Sequence, residues 1–141
     1  MATILIIDSY SCVRELLHEE LSAEGYMVAG TADISAVREL VVSTEPDLVI
    51  LDLYLEKQTR WDLLCDIKDH NPHLPVLVFS AFGGYAKDPR LSQADAFIIK
   101  SIFFDELKRK IAELLKYRVA SISKARANPG LAPLPKPIHI R

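Results

Sequence analysis

Asp-Leu-Val-Ile-Leu-Asp, residues 47–52, is a short apolar run that ends on a carboxylate. A run of this length and composition is typical of a strand that is buried on both faces of a parallel sheet. An acid at the end of a buried strand indicates that the carboxyl end of the strand opens into a site. The stretch therefore predicts a central strand and, at Asp52, a candidate functional group.

Three further apolar runs occur along the chain, and each of them also ends on a polar residue. They are residues 4–7 before Asp8, residues 76–79 before Ser80, and residues 96–99 before Lys100. Ligands of open α/β sheets bind beyond the carboxyl ends of the strands. We therefore expect two carboxylates, a hydroxyl and an amine to meet at one edge of the sheet.

Helical patterns lie between the predicted strands, which include a short one at residues 26–29. The expected helices are residues 12–24, a second helix capped by Asp33, residues 61–69, a short helix at 89–93, and a last helix that runs to about residue 127. Five strands that alternate with five helices predict an α/β fold, a flavodoxin-like (βα)5 three-layer sandwich with strand order 2-1-3-4-5. This order places Asp8 beside Asp52.

Several local expectations accompany this fold. Ser9 or Ser11 can cap the first helix, and Gly25 ends it. Residues 53–60 are expected to form a polar loop. The inward face of the last helix is predicted to include Ile102, Phe104, Leu107, Ile111, Leu114 and Leu115.

Composition excludes some classes of function. The 141 residues are 50% hydrophobic and 26% charged, which is typical of one globular domain. No apolar run approaches the roughly 20 residues of a membrane span, and no signal peptide is visible. Cys12 and Cys65 are expected to be reduced thiols in a cytoplasmic protein.

Charge divides the chain into an acidic body and a basic end. Residues 1–117 hold 12 Lys and Arg against 19 Asp and Glu, whereas residues 118–141 hold five basic residues and no acid. The acidic body argues against direct binding to nucleic acid. Residues 118–141 are rich in proline and are predicted to extend the last helix into a tail that is dispensable for folding. That tail is either a disordered end or a segment that binds a protein surface, its own or that of a second copy.

Four motifs together resemble those of the receiver domain of bacterial two-component response regulators. They are Ile-Leu-Ile-Ile-Asp8, Leu-Val-Ile-Leu-Asp52-Leu, Val-Leu-Val-Phe-Ser80-Ala and Phe-Ile-Ile-Lys100. The resemblance covers residues 3–117 and predicts a receiver domain over residues 1–117. It implies that Asp52 accepts a phosphoryl group from a sensor histidine kinase.

The resemblance also implies roles for the neighbours of Asp52. Asp8, Asp52 and the backbone carbonyl of Tyr54 would hold Mg²⁺, which prefers oxygen ligands. Lys100 would pair with the phosphoryl oxygens, and the Ser80 hydroxyl would donate to the attached phosphoryl group.

The switch of the family would use Ser80 and an aromatic residue of the fifth strand. Ser80 would move inward, and Phe97 would follow it. Phe97 has no hydroxyl with which to make or break a hydrogen bond.

Other positions depart from the family pattern. Ser9 replaces the usual second acid, so it would contact the metal weakly or through water, and Mg²⁺ binding is expected to be weak. Glu56 replaces a frequent proline, Arg60 a usual glycine, and Ser101 a proline that is commonly cis.

These features leave two main hypotheses. The first is a phosphoacceptor that signals to a downstream protein through protein contacts, with a homodimer as a possibility. The second is a pseudo-receiver, the same fold used as a binding or dimerisation module without phosphoryl chemistry. An enzyme such as a small-molecule phosphatase would need a general acid near Asp52 and a substrate cap. The sequence shows neither, so catalysis beyond self-phosphorylation and self-dephosphorylation is not expected.

Overall fold

A five-stranded parallel sheet organises the fold. The computed structural model describes the backbone of residues 1–127 and the side chains of residues 1–118. The elements in chain order are β1 (Thr3–Ile7), α1 (Ser11–Ala23), β2 (Met27–Thr31), a 3-10 helix (Ile34–Ala36), α2 (Val37–Thr44), β3 (Leu48–Leu51), β4 (Tyr54–Leu55), β5 (Gln58–Thr59), α3 (Trp61–His70), β6 (Val76–Ser80), two 3-10 helices (Gly83–Lys87 and Pro89–Gln93), β7 (Ala96–Ile99) and α4 (Asp105–Ala127).

The strand order of the main sheet is β2-β1-β3-β6-β7. Because β4 and β5 form a separate two-stranded hairpin, this is the predicted order 2-1-3-4-5, and the α/β prediction is confirmed. The register pairs Ile7 of β1 with Leu51 of β3, and the Asp52 backbone N–H donates to the Ile7 carbonyl at 2.9 Å. The carboxyl ends of β1 and β3 therefore lie side by side.

The sheet is buried on both faces because its strand residues are apolar on both sides. One face packs against α2 and α3, and the other packs against α1 and α4. Alternate residues of β3 illustrate the division, since Val49 and Leu51 face the first pair of helices and Leu48 and Ile50 face the second. This explains why the strands are continuous apolar runs.

The start of α1 differs from the prediction. Its N-cap is Tyr10, and no side chain caps it, so the expected cap by Ser9 or Ser11 is wrong. Asp33 does cap the helical segment that leads into α2, by accepting from the Ser35 backbone N–H. Gly25, with φ of 94°, lies after the end of α1 as expected.

Residues 53–60, predicted as a polar loop, contain a hairpin, and Leu53 and Leu55 within them are fully buried. β4 and β5 are antiparallel, and Glu56 and Lys57 between them have φ values of 50° and 64°. Two-residue hairpin turns favour positive φ at both central positions. Proline, with φ fixed near −65°, could not occupy position 56 in this turn. The substitution of the usual proline by Glu56 is thus consistent with the hairpin.

The connection from β6 to β7 contains no α-helix. Two 3-10 helices occupy it, and the second, Pro89–Gln93, covers the residues of the predicted short helix. Asp88 caps the second of them, ahead of Pro89, as predicted. Ile102 is 79% exposed and precedes α4, which corrects its prediction as an inward residue.

Helix α4 continues to Ala127, as expected, and the rest of the predicted tail, residues 128–141, lies outside the described residues. Within the described part of the chain, no helix is both long enough and apolar enough to cross a membrane.

A buried ion pair lies at the opposite edge of the sheet from Asp52. The Lys68 ammonium of α3 lies 3.1 Å from the Asp95 carboxylate, and the two side chains are 9% and 3% exposed. Asp95 also accepts from the backbone N–H of Val76, and Lys68 donates to the carbonyl of Leu74. The pair therefore joins α3 to the amino ends of β6 and β7.

We expect Asp95→Asn to lower the free energy of unfolding by about 3 kcal/mol, because the Lys68 ammonium would stay buried without the charge of Asp95. Asp66→Asn, on the same helix, is the matched control. Asp66 pairs with Arg38 through side chains that are 41% and 69% exposed, and its loss should cost under about 1 kcal/mol. Urea unfolding measures both. Equal losses in the two variants would contradict this account of Lys68 and Asp95.

Candidate functional site

Asp8, Asp52 and Lys100 meet at the carboxyl edge of the sheet. The Lys100 ammonium lies 2.7 Å from Oδ2 of Asp8 and 2.7 Å from Oδ2 of Asp52. The carboxylates are almost fully buried, and the Lys100 side chain is 15% exposed. The predicted meeting of these three groups is confirmed.

The same local turn fixes Asp8 and Asp52, the two acids that follow β1 and β3. The Asp8 Oδ1 atom accepts from the Tyr10 N–H at 2.9 Å, and the Asp52 Oδ1 atom accepts from the Tyr54 N–H at 3.0 Å. Asp, Asn and Ser side chains commonly bond the backbone two residues on in this way. Each aspartate therefore uses one oxygen for its own backbone and directs the other to Lys100.

The charge of Lys100 is stabilised within the site. Burial alone would lower the pKa of Lys100, but hydrogen bonds to Asp52 and Asp8, together with their negative charges, outweigh it and raise the pKa above its usual value. Lys100 is therefore a cation at neutral pH.

Ser80 and Phe97 lie on β6 and β7, the two strands that follow β3 toward one side of the sheet. Ser80 is buried at the end of β6, where its Oγ accepts from the Phe82 N–H at 3.3 Å and its carbonyl accepts from the Lys100 N–H at 2.9 Å. Phe97 is partly buried in the middle of β7, opposite Val78. Ser80 is thus hydrogen-bonded to the backbone of Lys100, whereas Phe97 lies farther from the carboxyl ends of the strands.

Two contacts at the site were not identified from the sequence. The Tyr10 ring lies 5.4 Å from the Lys100 ammonium, and Arg14 donates to the Asp8 carbonyl at 2.7 Å. The sequence contained part of the information needed to predict these contacts, because Tyr10 follows Asp8 by two residues and Arg14 lies in the first helix after it. Ser9, between Asp8 and Tyr10, is exposed.

The donor set at the site fits a hard divalent cation. Asp8 and Asp52 supply carboxylate oxygens, and Mg²⁺ typically uses one or two carboxylates, with waters completing the shell. Among the residues that the structure describes, no three His, Cys, Asp or Glu side chains cluster in a way that could hold a metal. Ser9, which follows Asp8, is neutral and adds no third carboxylate to the site.

Comparison with known proteins gives a consistent result. The family model of the response regulator receiver domain matches residues 4–112. The chain is 33% identical over 96 residues to the DNA-binding transcriptional regulator NtrC of Rhizobium meliloti, which covers 68% of this chain and 20% of NtrC. The chain therefore spans about a fifth of the length of that relative.

Solved structures of response regulators have the same fold. The response regulator TrrA of Thermotoga maritima, in complex with Mg²⁺-BeF, is similar with a TM-score of 0.76 and 32% identity, covering 81% of this chain and 99% of TrrA. A second structure, of the histidine kinase ThkA in complex with TrrA, gives a TM-score of 0.75 at 32% identity and covers 82% of this chain and 99% of TrrA.

We expect the pKa of Lys100 to lie above the ordinary lysine value of about 10.4, as followed by NMR titration of its side chain. Asp52→Asn and Asp8→Asn should each lower it, because each removes a hydrogen-bonded charge. Since the pKa rises on folding, the interaction of Lys100 with the two acids should stabilise the fold fully below the unfolded pKa and lose its effect as pH rises through the folded pKa. A midpoint at or below the ordinary value would contradict the geometry at Lys100.

Proposed function

The chain belongs to the response regulator receiver domain family, and we propose that it accepts a phosphoryl group on Asp52 from the phosphohistidine of a sensor histidine kinase. The observation that carries the proposal is the contact of Lys100 with Asp52 and Asp8 at the carboxyl edge of the sheet. The complex of ThkA with TrrA, a structure similar to this chain, supports the choice of a histidine kinase as partner.

The transfer exchanges one bond to phosphorus for another. A carboxylate oxygen of Asp52 attacks the phosphorus atom, the P–N bond to the histidine breaks, and the bonding electron pair returns to the imidazole nitrogen, which takes up a proton. Water later attacks the same phosphorus, which releases phosphate and restores the Asp52 carboxylate. The protein contributes mainly by positioning groups and supplying charge.

Each neighbour of Asp52 has a role that its position permits. Lys100 is already beside the Asp52 oxygen, so its ammonium pairs with the incoming phosphoryl oxygens. The Ser80 hydroxyl donates to the attached phosphoryl group. Ser80 then moves inward, and Phe97 follows it as an apolar body without a hydroxyl. These two residues make up the proposed switch.

The site residues fit Mg²⁺, which TrrA contains together with BeF. Asp8, Asp52 and the backbone carbonyl of Tyr54 would hold it, and Ser9 would contribute weakly or through water. The ion would supply positive charge against the phosphoryl oxygens. In this proposal residues 1–117 act as the receiver domain in the cytoplasm, residues 118–141 extend it, and output passes through contacts with a downstream protein.

We expect the chain to gain the mass of one phosphoryl group on incubation with acetyl phosphate and Mg²⁺, and Asp52→Asn to abolish the gain. Asp33→Asn is the control, because Asp33 is an exposed carboxylate at the same edge of the sheet and should retain the gain. Intact-mass spectrometry measures all three proteins. An adduct that survives in Asp52→Asn contradicts the assignment, and no adduct on the wild type favours the pseudo-receiver alternative.

We expect Ser9→Asp to bind Mg²⁺ roughly tenfold to a hundredfold more tightly than the wild type, because an added carboxylate attracts the cation directly at short range. Ser11→Asp adds the same charge at an exposed position of α1 and should change the affinity much less. Titration of Mg²⁺ against the fluorescence of Trp61, the single tryptophan, measures each affinity. Equal affinities in wild type and Ser9→Asp would refute the explanation based on Ser9.

A further inference from the structure

The buried ring of Tyr85 lies between the β4–β5 hairpin and the segment after β6. Its hydroxyl lies 3.2 Å from Oγ1 of Thr59, and either oxygen can donate in this hydrogen bond. Its ring makes edge-to-face contacts with Phe82, at 4.9 Å between centroids, and with Trp61, at 5.6 Å. Since Tyr85 is only 8% exposed, these contacts define its position.

On one side, Thr59 connects Tyr85 to the residue directly after Asp52. Thr59 ends β5, and the next residue, Arg60, donates its backbone N–H to the Leu53 carbonyl at 2.7 Å. Leu53 is fully buried and is bonded to Asp52 along the chain. A displacement at the end of β3 is therefore transmitted from Leu53 to Arg60 through one short hydrogen bond, and from Arg60 to Thr59 along the chain.

On the other side, Phe82 connects Tyr85 to Ser80. The Phe82 N–H donates to Ser80 Oγ at 3.3 Å, a long bond that a turn of the hydroxyl would weaken further. The Phe82 ring lies against Gly84, where a Cβ atom would clash with it. Glycine at this position therefore allows Phe82 to lie between Ser80 and Tyr85.

We propose that Tyr85 is a positioning residue that couples phosphorylation of Asp52 to the surface around Trp61. The coupling uses the hydrogen bond between Tyr85 and Thr59, a kind of bond that Phe97 cannot supply because it has no hydroxyl. The inference rests on the proposed function. When Ser80 Oγ turns toward a phosphoryl group on Asp52, the Phe82 N–H loses its acceptor, and the Phe82 ring shifts from Tyr85. The Tyr85–Thr59 hydrogen bond then opens.

This coupling has a thermodynamic consequence. If phosphorylation opens the Tyr85–Thr59 hydrogen bond, a variant without that bond has less to disrupt and favours the phosphorylated conformation. The unmodified variant should therefore already resemble the phosphorylated wild type around Trp61. Beryllofluoride, which mimics the phosphoryl group of an acyl phosphate, should also bind the variant more tightly.

The experiment titrates the full chain with beryllofluoride in the presence of Mg²⁺ and follows Trp61 fluorescence. Tyr85→Phe and Thr59→Val each remove one oxygen of the hydrogen bond and keep the shape of the side chain. We expect roughly two- to tenfold tighter beryllofluoride binding in each variant, the range that one ordinary hydrogen bond supplies. The spectrum of each free variant should shift toward that of the beryllofluoride-bound wild type.

Three comparisons make the test specific. Thr59→Ser keeps a hydroxyl and should behave as the wild type, and Tyr26→Phe removes a distant tyrosine hydroxyl with no effect. The double variant Tyr85→Phe/Thr59→Val should equal either single variant, because all three lose the same bond. Affinities and spectra in Tyr85→Phe and Thr59→Val that match the wild type, or weaker binding, would overturn the inference.

The inference and the proposed function fail in distinguishable ways. If the wild-type chain gains no phosphoryl group from acetyl phosphate, the result contradicts both the proposed function and the inference about Tyr85. A wild-type chain that gains it on Asp52, together with variants at Tyr85 and Thr59 that respond to beryllofluoride as the wild type does, overturns the inference alone.

Discussion

The ammonium group of Lys100 contacts Asp8 and Asp52 at 2.7 Å each, and the carboxyl edge of the sheet depends on this interaction. The parallel pairing of β1 with β3 places the two acids side by side. Two buried carboxylates repel each other and lose hydration, and the Lys100 ammonium between them offsets part of both costs. Lys100 comes directly after β7, whereas Asp8 and Asp52 follow β1 and β3. The strands of the sheet from β1 across to β7 must therefore pair before Lys100 can balance the charges of the two acids.

In the proposed function, the interaction that stabilises the unmodified site also provides the positive charge that phosphoryl transfer needs. A phosphoryl group on Asp52 carries about two negative charges at neutral pH. Lys100 is charged at that pH because Asp52 and Asp8 raise its pKa against the effect of burial. In the proposed transfer, the ammonium would exchange a carboxylate partner for phosphoryl oxygens without crossing the site. Electrostatic stabilisation of this kind requires little reorganisation during the reaction.

The sequence predicted the features that depend on strand ends and periodicity, and it failed where a contact depends on a distant residue. Asp52 and Lys100 could be placed together because parallel strands share one carboxyl edge. Lys68 was not recognised as buried, since a lysine on an amphipathic helix usually lies in water, and its partner Asp95 is 27 residues away. The hydrogen bond between Tyr85 and Thr59 depends on a hairpin whose turn has no glycine.

The most direct test of the account is to identify the residue that carries the acyl phosphate. Reduction with borohydride converts a phosphorylated aspartate to homoserine, and peptide mapping then locates the change. After treatment of the full chain with acetyl phosphate and Mg²⁺, we expect homoserine at position 52. Homoserine at another position, or at none while TrrA treated in the same way is converted, would contradict it.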